Sequence, residues 1–557
     1  MLLYLGLQTY LHSMKAILRT VILVFLISIT QIGVAQQDTT KNAFEKGLDQ
    51  YKLQKAKHLL FSYDFNGALA AYEEIHSENP DNPIVQYRIG QVHYALRDYL
   101  SATKFMGMAV EAEPIIEEDA RVKYAMALQR VGEFDKAITQ LMSYKVDLKE
   151  SKIKRIEEIE KMIIGLNYAK DAVANPSNVK IENMGTDINS AFDDYGASVS
   201  SDEKTIIFTS RRPDTKGGAT DPNDGKYMED IYISEWNTEG NRWNKAESIK
   251  GRLNTEFHDA CLSISPDGHN IYVYKNFGES GSGEIYVSRL SSSGKWGGPK
   301  DLGKLINTSY FESSASITSD GQFLYFLSER KEKTSQGMSD IWMAERLSRS
   351  EWKEPVNLGP VVNTSHDERM VFIHPEGNIL FFASDGHIDK CVGGYDIYMS
   401  EYRDSAWQEP INIGYPINTV NDDINFVLSF DANTAYYSGY KEPSIGGKDI
   451  FKVDVSEHEI IKEVRERYVT ISGKIADGSA NNGPMKVTPK IIITNSESGD
   501  EVKAMKVKTP IYSVKLERGN KYKMLISAGG FKTQEATIDL TVEDKNPSIN
   551  MDFIMVR

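Results

Sequence analysis

Two hydrophobic periods divide the chain. Before Asn175, apolar residues recur at helical spacing, and after it they alternate with polar residues as in half-buried strands. This change predicts a helical region followed by an all-β region. Each region also resembles itself at a fixed spacing, so we expect both to be built from repeats.

The helical region carries one motif three times. An acidic residue and an aromatic residue are followed, three positions after the aromatic one, by alanine, within 63–68, 97–102 and 132–137 at spacings of 34 and 35 residues. Pro80 and Pro114 close the first two units. The pattern resembles the tetratricopeptide repeat. The resemblance implies an α-solenoid of paired helices over residues 41–175, with a concave face suited to a peptide.

Residues 151–173 extend the helical region beyond the third repeat. Ile156, Ile159 and Ile163 fall on one stripe of the predicted helix. The last repeat of a solenoid would otherwise expose its apolar face to water. We therefore expect this helix to cap the solenoid.

A second repeat begins after Asn175. An acidic residue, isoleucine and an aromatic residue recur at spacings of 54, 56, 56 and 53 residues, in the segments 230–232, 284–286, 340–342, 396–398 and 449–451. Asp-Gly turns between apolar runs, as at Asp267-Gly268, predict hairpins. Five units, each long enough for four strands, predict a five-bladed β-propeller over residues 178–457.

The ends of this β-region predict how it closes. Residues 179–185 resemble the outer strand found in the other units, whereas the last unit, ending near Val455, lacks one. The early segment therefore supplies the missing strand of the last blade. Such closure removes open sheet edges, which invite aggregation.

Residues 468–557 form a third block of short strands separated by Gly and Asn turns. The clearest strands are 471–475, 490–493, 512–516 and 522–526. We predict a small antiparallel β-sandwich of about seven strands. The block resembles the carboxypeptidase regulatory-like domain, a structural module that brings no peptidase residues. The predicted fold class is therefore multidomain, α followed by all-β.

The N-terminus predicts export. Lys15 and Arg19 precede an apolar run at 21–29, and the small residues at 33–35 suit a signal peptidase, with Met14 as an alternative start. Residues 1–35 are accordingly predicted to be a signal peptide. No later apolar run is long enough to span a membrane. We expect a periplasmic or outer-membrane-associated protein.

Charge and cysteine content exclude other classes. The net charge of -15 argues against a nucleic-acid partner, because phosphate binding needs a basic patch. Cys261 and Cys391 are the only cysteines, and we expect unpaired thiols, with a disulfide as the alternative. The sequence has no Cys/His cluster at zinc spacing, and neither a metal site nor a cofactor is predicted.

The order of the three regions resembles a family of envelope proteins from bacteria with type IX secretion and gliding motility. In that family, tetratricopeptide repeats precede a TolB-type, WD40-like propeller and a regulatory-like sandwich. The residues that carry the resemblance are 189–195, 208–212 and 393–398. Members usually end in an OmpA-like domain that grips peptidoglycan. The resemblance stops at Arg557 without it, so peptidoglycan anchoring is not implied.

A carboxylate follows each repeated Asn by four or five positions. These residues are Asp193, Asp259, Glu312, Asp367 and Asp422. Two interpretations stay open. The carboxylates accept backbone hydrogen bonds and lock neighbouring blades together, or they form a ring at one mouth of the channel that binds a cation or a basic partner segment. His258 and His366 precede two similar positions in separate blades, which makes a metal pair a weak alternative.

Five long loops are expected on the same face as these carboxylates. They span residues 212–226, 275–283, 329–338, 385–394 and 441–447. Such loops on a rigid scaffold commonly bind partners. The bland interpretation is that they are solvated and carry no function.

Together these features predict a non-enzymatic scaffold that binds envelope proteins through the repeat groove and the propeller face, in type IX secretion or gliding motility. No catalytic motif of a hydrolase, metalloprotease or phosphate-binding loop occurs in the sequence. The alternative is a protein that binds glycans or peptidoglycan fragments. A propeller hydrolase is a remote third possibility.

Overall fold

The computed structural model describes residues 43–221, 225–276, 283–348, 350–441, 443–480, 483–507, 511–542 and 548–557. The predicted signal peptide at 1–35 lies outside these residues. The described chain is helical first and then β, as predicted from the change of period. It divides into two compact units. The first holds the described residues up to Ser177 with Ile181–Phe430 and Ala435–Val453, and the second holds Asn178–Lys180, Asp431–Thr434 and Asp454–Arg557.

The first unit opens with helices that pack consecutively. They are α1 (Ala43–Phe61), α2 (Phe65–Glu78), α3 (Pro83–Ala95), α4 (Tyr99–Ala112), α5 (Ala120–Arg130), α6 (Phe134–Asp147) and α7 (Ile153–Ala174). Each helix contacts the next one in sequence. We refer to α1–α7 as the helical arm.

The repeated motif of the arm marks the turn inside each helix pair. Its first residue has a positive φ, which is 64° at Tyr63, 65° at Arg97 and 76° at Gly132. This conformation reverses the chain between the two helices, and glycine adopts it without steric cost. The alanine that ends each motif lets the paired helices approach closely, and all three copies have no exposed surface: Ala68, Ala102 and Ala137.

In the first two repeats, the acidic residue of the motif caps the second helix of the pair, whereas Glu133 of the third repeat makes no such hydrogen bond. Asp64 accepts a hydrogen bond from the Gly67 N–H at 2.9 Å, and Asp98 accepts one from the Ser101 N–H at 3.1 Å. A carboxylate here satisfies one of the N–H groups that a helix leaves unpaired at its first turn. The motif thus encodes a turn and a helix start together.

Five antiparallel sheets follow in the first unit. Sheet 1 contains β2 (Asp194–Val199), β3 (Thr205–Ser210), β4 (Asp230–Asn237), β5 (Arg242–Trp243) and β6 (Glu247–Ser248). Sheet 2 contains β7 (Asp259–Ile264), β8 (Asn270–Lys275), β9 (Glu284–Arg289) and β10 (Lys300–Asp301). Sheet 3 contains β11 (Glu312–Ile317), β12 (Phe323–Ser328), β13 (Asp340–Glu345) and β14 (Val356–Asn357).

Sheet 4 contains β15 (Glu368–Ile373), β16 (Ile379–Ser384), β17 (Asp396–Arg403), β18 (Ala406–Trp407) and β19 (Ile411–Asn412). Sheet 5 joins β20 (Ile424–Leu428), β21 (Thr434–Gly439) and β22 (Asp449–Asp454) to the early strand β1 (Lys180–Asn183), which pairs with β22. The strand expected from residues 179–185 is therefore found where the sequence predicted it.

The first strands of the five sheets contact one another in a closed circle. β2 contacts β7, and the contacts continue through β11, β15 and β20 back to β2. We call this arrangement the five-sheet ring. Each sheet is formed mostly by consecutive strands, so each repeat unit of the sequence corresponds to one sheet of the ring.

An asparagine links each sheet of the ring to the segment that leads into the next sheet. Its side-chain amide accepts from the N–H and donates to the C=O of the isoleucine in the repeated acidic–Ile–aromatic motif, at 2.7 to 3.0 Å. The pairs are Asn254–Ile231, Asn307–Ile285, Asn363–Ile341, Asn418–Ile397 and Asn189–Ile450. The last pair joins the two ends of the ring.

The second unit contains α8 (Glu459–Arg467) and two sheets. One sheet holds β23 (Tyr468–Asp477), β24 (Gly483–Pro484), β27 (Ile511–Glu517), β30 (Ser548–Asn550) and β31 (Phe553–Met555). The other holds β25 (Lys490–Asn495), β26 (Glu501–Lys506), β28 (Lys521–Ser527) and β29 (Gln534–Asp539). A shared apolar core includes Ile471, Ile491, Met524 and Met555.

The second unit departs from the sequence analysis in two ways. β30 and β31 pair with β23 in parallel, not antiparallel, because the chain returns to its first strand after a long crossover. Helix α8 was not predicted. Its short amphipathic sequence buries Ile461 and Val464 on one face. In the described part of the chain, no helix is long and apolar enough to cross a membrane.

Candidate functional site

The structure divides the five predicted carboxylates between two adjacent positions of the repeat. Asp259 and Glu312 occupy the first residue of an inner strand, as Asp194 and Glu368 do in two other sheets. Asp423 holds the equivalent position of the repeat, directly before β20. Asp193, Asp367 and Asp422 lie one residue earlier. The two positions differ in what they contact, so the five residues do not form one equivalent ring.

Carboxylates at the first strand position fasten the segment that precedes them. Each accepts a hydrogen bond at 2.6 to 2.9 Å from the Ser or Thr hydroxyl four residues before it. Asp259 also pairs with the buried ammonium of Lys275, and Glu312 accepts from the Ser328 hydroxyl at 2.8 Å. Burial raises the pKa of Glu312 and raises that of Asp423 to about 7. At Asp259 and Glu312, these contacts hold the preceding segment and a side chain of the same sheet in place.

Asp422 lies where the helical arm meets the ring. Its carboxylate accepts hydrogen bonds from the guanidinium groups of Arg130 and Arg97, both at 2.8 Å. Arg97 comes from the turn between α3 and α4, and Arg130 ends α5. Burial alone would raise the pKa of Asp422, but the two arginines outweigh burial and hold that pKa below its ordinary value. Asp422 is thus paired with two cationic side chains of the same chain.

A loop of sheet 4 packs into the arm beside this ion pair. Val392 is fully buried in the apolar cluster formed by α5, α6 and α7. Gln129 donates to the carbonyl oxygen of Val392 at 3.3 Å. On the other side, a Cβ at Gly165 would lie 2.0 Å from the Ile388 carbonyl oxygen, so α7 needs glycine at this contact. We call the contacts of Arg97, Arg130 and residues 385–394 the arm–ring junction.

Asp193 and Asp367 are neutralised within the ring. Asp193 pairs with Lys226 at 2.7 Å and accepts from the Lys448 backbone N–H at 2.9 Å. Asp367 pairs with Arg369 at 2.8 Å. In the described residues, no group of three or more His, Cys, Asp and Glu side chains is arranged to hold a metal ion. The cation interpretation of the five carboxylates stays a prediction.

The two histidines considered as a metal pair have separate partners. His258 lies between Asp221, at 3.3 Å, and Glu229, at 3.4 Å. Burial lowers the pKa of His258, but the two carboxylates outweigh burial and raise it above its ordinary value. His366 faces Asp385 at 3.7 Å. Each histidine therefore faces carboxylates of its own.

The loops between the second and third strands are anchored at one end by the acidic residue of the repeated motif. Asp340 accepts from the backbone N–H groups of Gln336 and Gly337, at 2.7 and 2.9 Å. Asp449 accepts from the Ile445 N–H at 2.7 Å. The acidic residue of the acidic–Ile–aromatic motif therefore also holds the end of these two loops in place.

Both cysteines are free thiols. Cys261 is buried, and Cys391 is partly buried next to the arm. Burial raises the pKa of Cys391 to about 12, so the thiol form predominates at neutral pH.

Sequence reasoning missed Arg97, Arg130 and the loop that they hold. The sequence does not indicate a special role for Arg130, because arginine is common at the C-terminal end of a helix. Arg97 carries a signal, since it occupies the turn position where the third repeat has Gly132, and a positive φ is costly for most residues with a side chain. Tyr63 has a positive φ of 64° at the same position of the first repeat, so this signal selects Tyr63 as well as Arg97.

Comparison with known proteins gives no family. No protein family matches the chain, and no curated protein matches it. Three solved structures are similar to parts of the chain. The TPR2B domain–pHsp70 complex of yeast Sti1 covers 21% of this chain and 95% of its own, with 18% identity and a TM-score of 0.20.

The other two are larger. A β-1,2-mannobiose phosphorylase from Listeria innocua covers 52% of this chain and 99% of its own, with 10% identity and a TM-score of 0.34. A puromycin-hydrolyzing peptidase of Mycobacterium tuberculosis covers 44% and 34%, with 10% identity and a TM-score of 0.25. These scores are too low to support an argument about the activity of this chain.

Proposed function

We propose that the chain is a non-enzymatic scaffold that binds other proteins of a bacterial envelope. In this proposal the helical arm is a tetratricopeptide α-solenoid, the five-sheet ring is a five-bladed β-propeller and the second unit is a β-sandwich. The protein is exported and acts in the periplasm or at the outer membrane, in type IX secretion or gliding motility, as PorE-like proteins do.

The arm–ring junction carries the proposal. Two guanidinium groups on one carboxylate, together with the buried Val392, fix part of the arm against one sector of the ring. Charged pairs that are hydrogen-bonded and largely withdrawn from water set a specific geometry. A fixed geometry between two modules suits a protein that presents both surfaces to one assembly.

The buried carboxylates of the ring support binding over hydrolysis. General acid–base catalysis needs a carboxyl group within reach of a substrate. Asp194, Asp259 and Glu312 have at most 1% of their surface exposed. Their oxygens accept hydrogen bonds from the Ser or Thr hydroxyls that precede them. Their position and contacts assign them to holding the sheets together.

The arm presents apolar side chains to solvent. Tyr51 and Phe61 on α1 are 67% and 65% exposed, and Ile84 at the start of α3 is 51% exposed. Helices α1 and α3 are the first members of successive helix pairs, and such helices line the concave face of a solenoid. Exposed aromatic and aliphatic groups of this kind are the anchors of protein–protein interfaces.

Site-specific photo-crosslinking in intact cells tests the proposal. Benzoylphenylalanine is introduced into the full chain at Ile84 on the arm or at Met338 on a ring loop, which is 50% exposed. The matched control is Val502 on β26 in the second unit, which is 46% exposed. We expect adducts with specific envelope proteins at Ile84, Met338 or both, and fewer at Val502.

The outcomes separate the candidate functions. Absence of protein adducts at both test positions, with the variants folded and exported, would overturn the scaffold proposal. Adducts with glycan fragments alone would favour the glycan-binding alternative. Adducts at all three positions with the same abundant proteins would show only non-specific contact, and that also counts against the scaffold.

A further inference from the structure

The Lys448 ammonium group lies over two tyrosine rings near the arm–ring junction. Lys448 lies just before β22, and its ammonium group faces the rings of Tyr195 and Tyr440, with 5.4 and 5.7 Å between Nζ and the ring centroids. Both distances are within the range of a cation–π contact. Two aromatic rings therefore position the ammonium without neutralising its charge.

Both backbone polar groups of Lys448 make hydrogen bonds, but its ammonium group makes none to the described residues. The N–H donates to Asp193 at 2.9 Å, and the carbonyl oxygen accepts from the Asp194 N–H at 2.8 Å. Within the part of the chain that the structure describes, no acceptor hydrogen-bonds to Nζ and no carboxylate lies within ion-pair distance of it. A partly buried ammonium without an acceptor favours an anion from outside.

The surroundings of Lys448 have an excess of positive charge. Among the residues that the structure describes, Arg97, Arg130, Lys226 and Lys448 face two carboxylates, Asp193 and Asp422, so this group of six carries four positive and two negative charges. Both carboxylates are already paired with the other three cations. An excess of two positive charges contrasts with the net charge of -15 of the whole chain.

The pKa of Lys448 agrees with this reading of the geometry. Burial lowers that pKa to about 8, and the nearby positive charge of Arg97 adds to the effect, against the opposing influence of Asp193 and Asp422. An acceptor bound at Nζ would raise the pKa again, because an opposite charge favours the ammonium form.

We propose that Lys448, Tyr195, Tyr440 and Arg97 form a binding site for the carboxylate of an acidic partner segment. This inference rests on the proposed function, because it names the chemistry of the partner that the scaffold binds. An Asp or Glu side chain placed here accepts from the Lys448 ammonium and approaches the Arg97 guanidinium, a planar donor group that matches a carboxylate. The aliphatic part of that side chain lies against the tyrosine rings.

The site joins three parts of the first unit. Arg97 belongs to the arm, Tyr195 belongs to sheet 1, and Lys448 directly precedes the third strand of sheet 5. A carboxylate bound there contacts the arm and the two sheets at which the ring closes. Occupancy is therefore expected to strengthen the attachment of the arm to the ring as well as the binding of the partner.

Fluorescence anisotropy of a labelled hexaglutamate peptide tests the site with the full chain. The variant Lys448→Gln removes the charge with little change of size, and Lys452→Gln removes an equal charge from an exposed lysine of β22. We expect the Kd to rise at least tenfold in Lys448→Gln and to stay within twofold of the wild type in Lys452→Gln. Lys448→Arg, which keeps the charge, should bind within a few-fold of the wild type.

Three results would overturn the proposal. The first is a Kd for the peptide that is the same in the wild type and in Lys448→Gln. The second is an equal rise of the Kd in Lys448→Gln and Lys452→Gln. The third is displacement of the peptide by inorganic phosphate at a lower concentration than by acetate. The last result would make the site a phosphate site. If Lys448→Gln unfolds, Arg97→Gln replaces it, with a several-fold weaker Kd expected. Failure here leaves the crosslinks at Ile84 and Met338 unaffected, so the two proposals fail separately.

Discussion

Arg97 donates a hydrogen bond to Asp422 at 2.8 Å across 325 residues of sequence. The arginine occupies a left-handed turn of the arm, and the aspartate lies two residues before the first strand of sheet 5. Asp422 also accepts from Arg130, so one carboxylate holds two points of the arm. The contact gives the Arg97 side chain a structural role at a turn position whose φ favours glycine.

The first prediction replaces Arg97 by glycine. Arg97→Gly removes a positive φ of 65° from a residue with a side chain, so the turn itself should not be weakened. The hydrogen bond to Asp422 is lost, and we expect residues 385–394 to detach from the arm more often. Hydrogen exchange should show faster exchange of the Val392 and Gly394 amides, by about tenfold for a loss of ~1.4 kcal/mol.

Tyr63→Gly is the matched control for this experiment. Tyr63 has the same turn position and a φ of 64°, and it belongs to the first repeat. The glycine there should leave exchange within 385–394 unchanged. Equal acceleration in both variants would show that a glycine in the turn, and not the missing guanidinium, loosens the junction.

The second prediction concerns acid. Because the pKa of Asp422 is depressed in the folded state, its charge stabilises the fold above its unfolded pKa of 3.8, and that stabilisation is lost as the pH falls through the lower folded value. Asp422→Asn should be less stable than the wild type by about 2–4 kcal/mol at pH 7, since it leaves Arg130 with a weakened partner. The difference should shrink between pH 4 and pH 2.

Urea unfolding followed by tryptophan fluorescence measures this effect. All six tryptophans precede residue 408, so the signal reports the first unit. Asp404→Asn is the control, because the Asp404 side chain is 86% exposed. A pH dependence that is the same in Asp422→Asn and Asp404→Asn would contradict the assignment.

The third prediction concerns Glu329, whose carboxyl pKa is raised by folding, whereas that of Asp422 is lowered. Burial, with help from Asp367, raises the pKa of Glu329 to about 7 despite the nearby Arg369. A raised carboxyl pKa means that the unfolded state loses its proton first. Stability therefore falls as the pH rises from the ordinary value of 4.5 to about 7. Glu329→Gln should be more stable than the wild type by about 2 kcal/mol at pH 8 and equal to it at pH 4.

Glu332→Gln provides the comparison for Glu329→Gln. Glu332 lies three residues away and is exposed, so its substitution should change the unfolding free energy by less than about 0.5 kcal/mol at either pH. If Glu329→Gln is destabilising at pH 8, the Glu329 carboxylate makes a favourable contact when charged, and the prediction is wrong.

The sequence alone predicted those features of the fold that depend on local pattern. The repeated motif of each helix pair, with its buried alanine, spans six residues, and the Asp-Gly hairpins are equally local. The closing strand at 179–185 was recognised because its sequence resembles the outer strands of the other units. Periodicity reveals such features because each repeat solves the same packing problem with the same residue types.

The candidate site was predicted less well because its contacts are not local. The carboxylates were grouped by their distance from Asn, although two adjacent positions were involved. At Asp193-Asp194, Asp367-Glu368 and Asp422-Asp423, two carboxylates in succession concealed the difference. Only the hydroxyl contacts separate them, since Asp423 bonds to Thr419 while Asp422 reaches the arm. No spacing within the ring could reveal Arg130, which comes from a different repeat.

The last prediction concerns the closure of the ring. The Asn189 side chain accepts from the Ile450 N–H at 2.8 Å and donates to the Ile450 carbonyl oxygen at 2.9 Å. Asn189→Ala leaves both buried backbone groups without these partners, which should lower the free energy of unfolding by about 2–4 kcal/mol. Hydrogen exchange should become faster in β1 and β22 before it does so in the other strands.

Asn363→Ala separates closure from general stability. Asn363 makes the same two bonds to Ile341, at 2.8 and 3.0 Å, but it joins two sheets that are also connected through the chain. We expect a similar loss of stability in both variants, because the same groups are left unpaired. Only Asn189→Ala should loosen the strand contributed by the early part of the ring, and its β1 amides should exchange faster than those of Asn363→Ala. If exchange at β1 is the same in both, the amide of Asn189 does not hold the ring closed, and the pairing of β1 with β22 is sufficient.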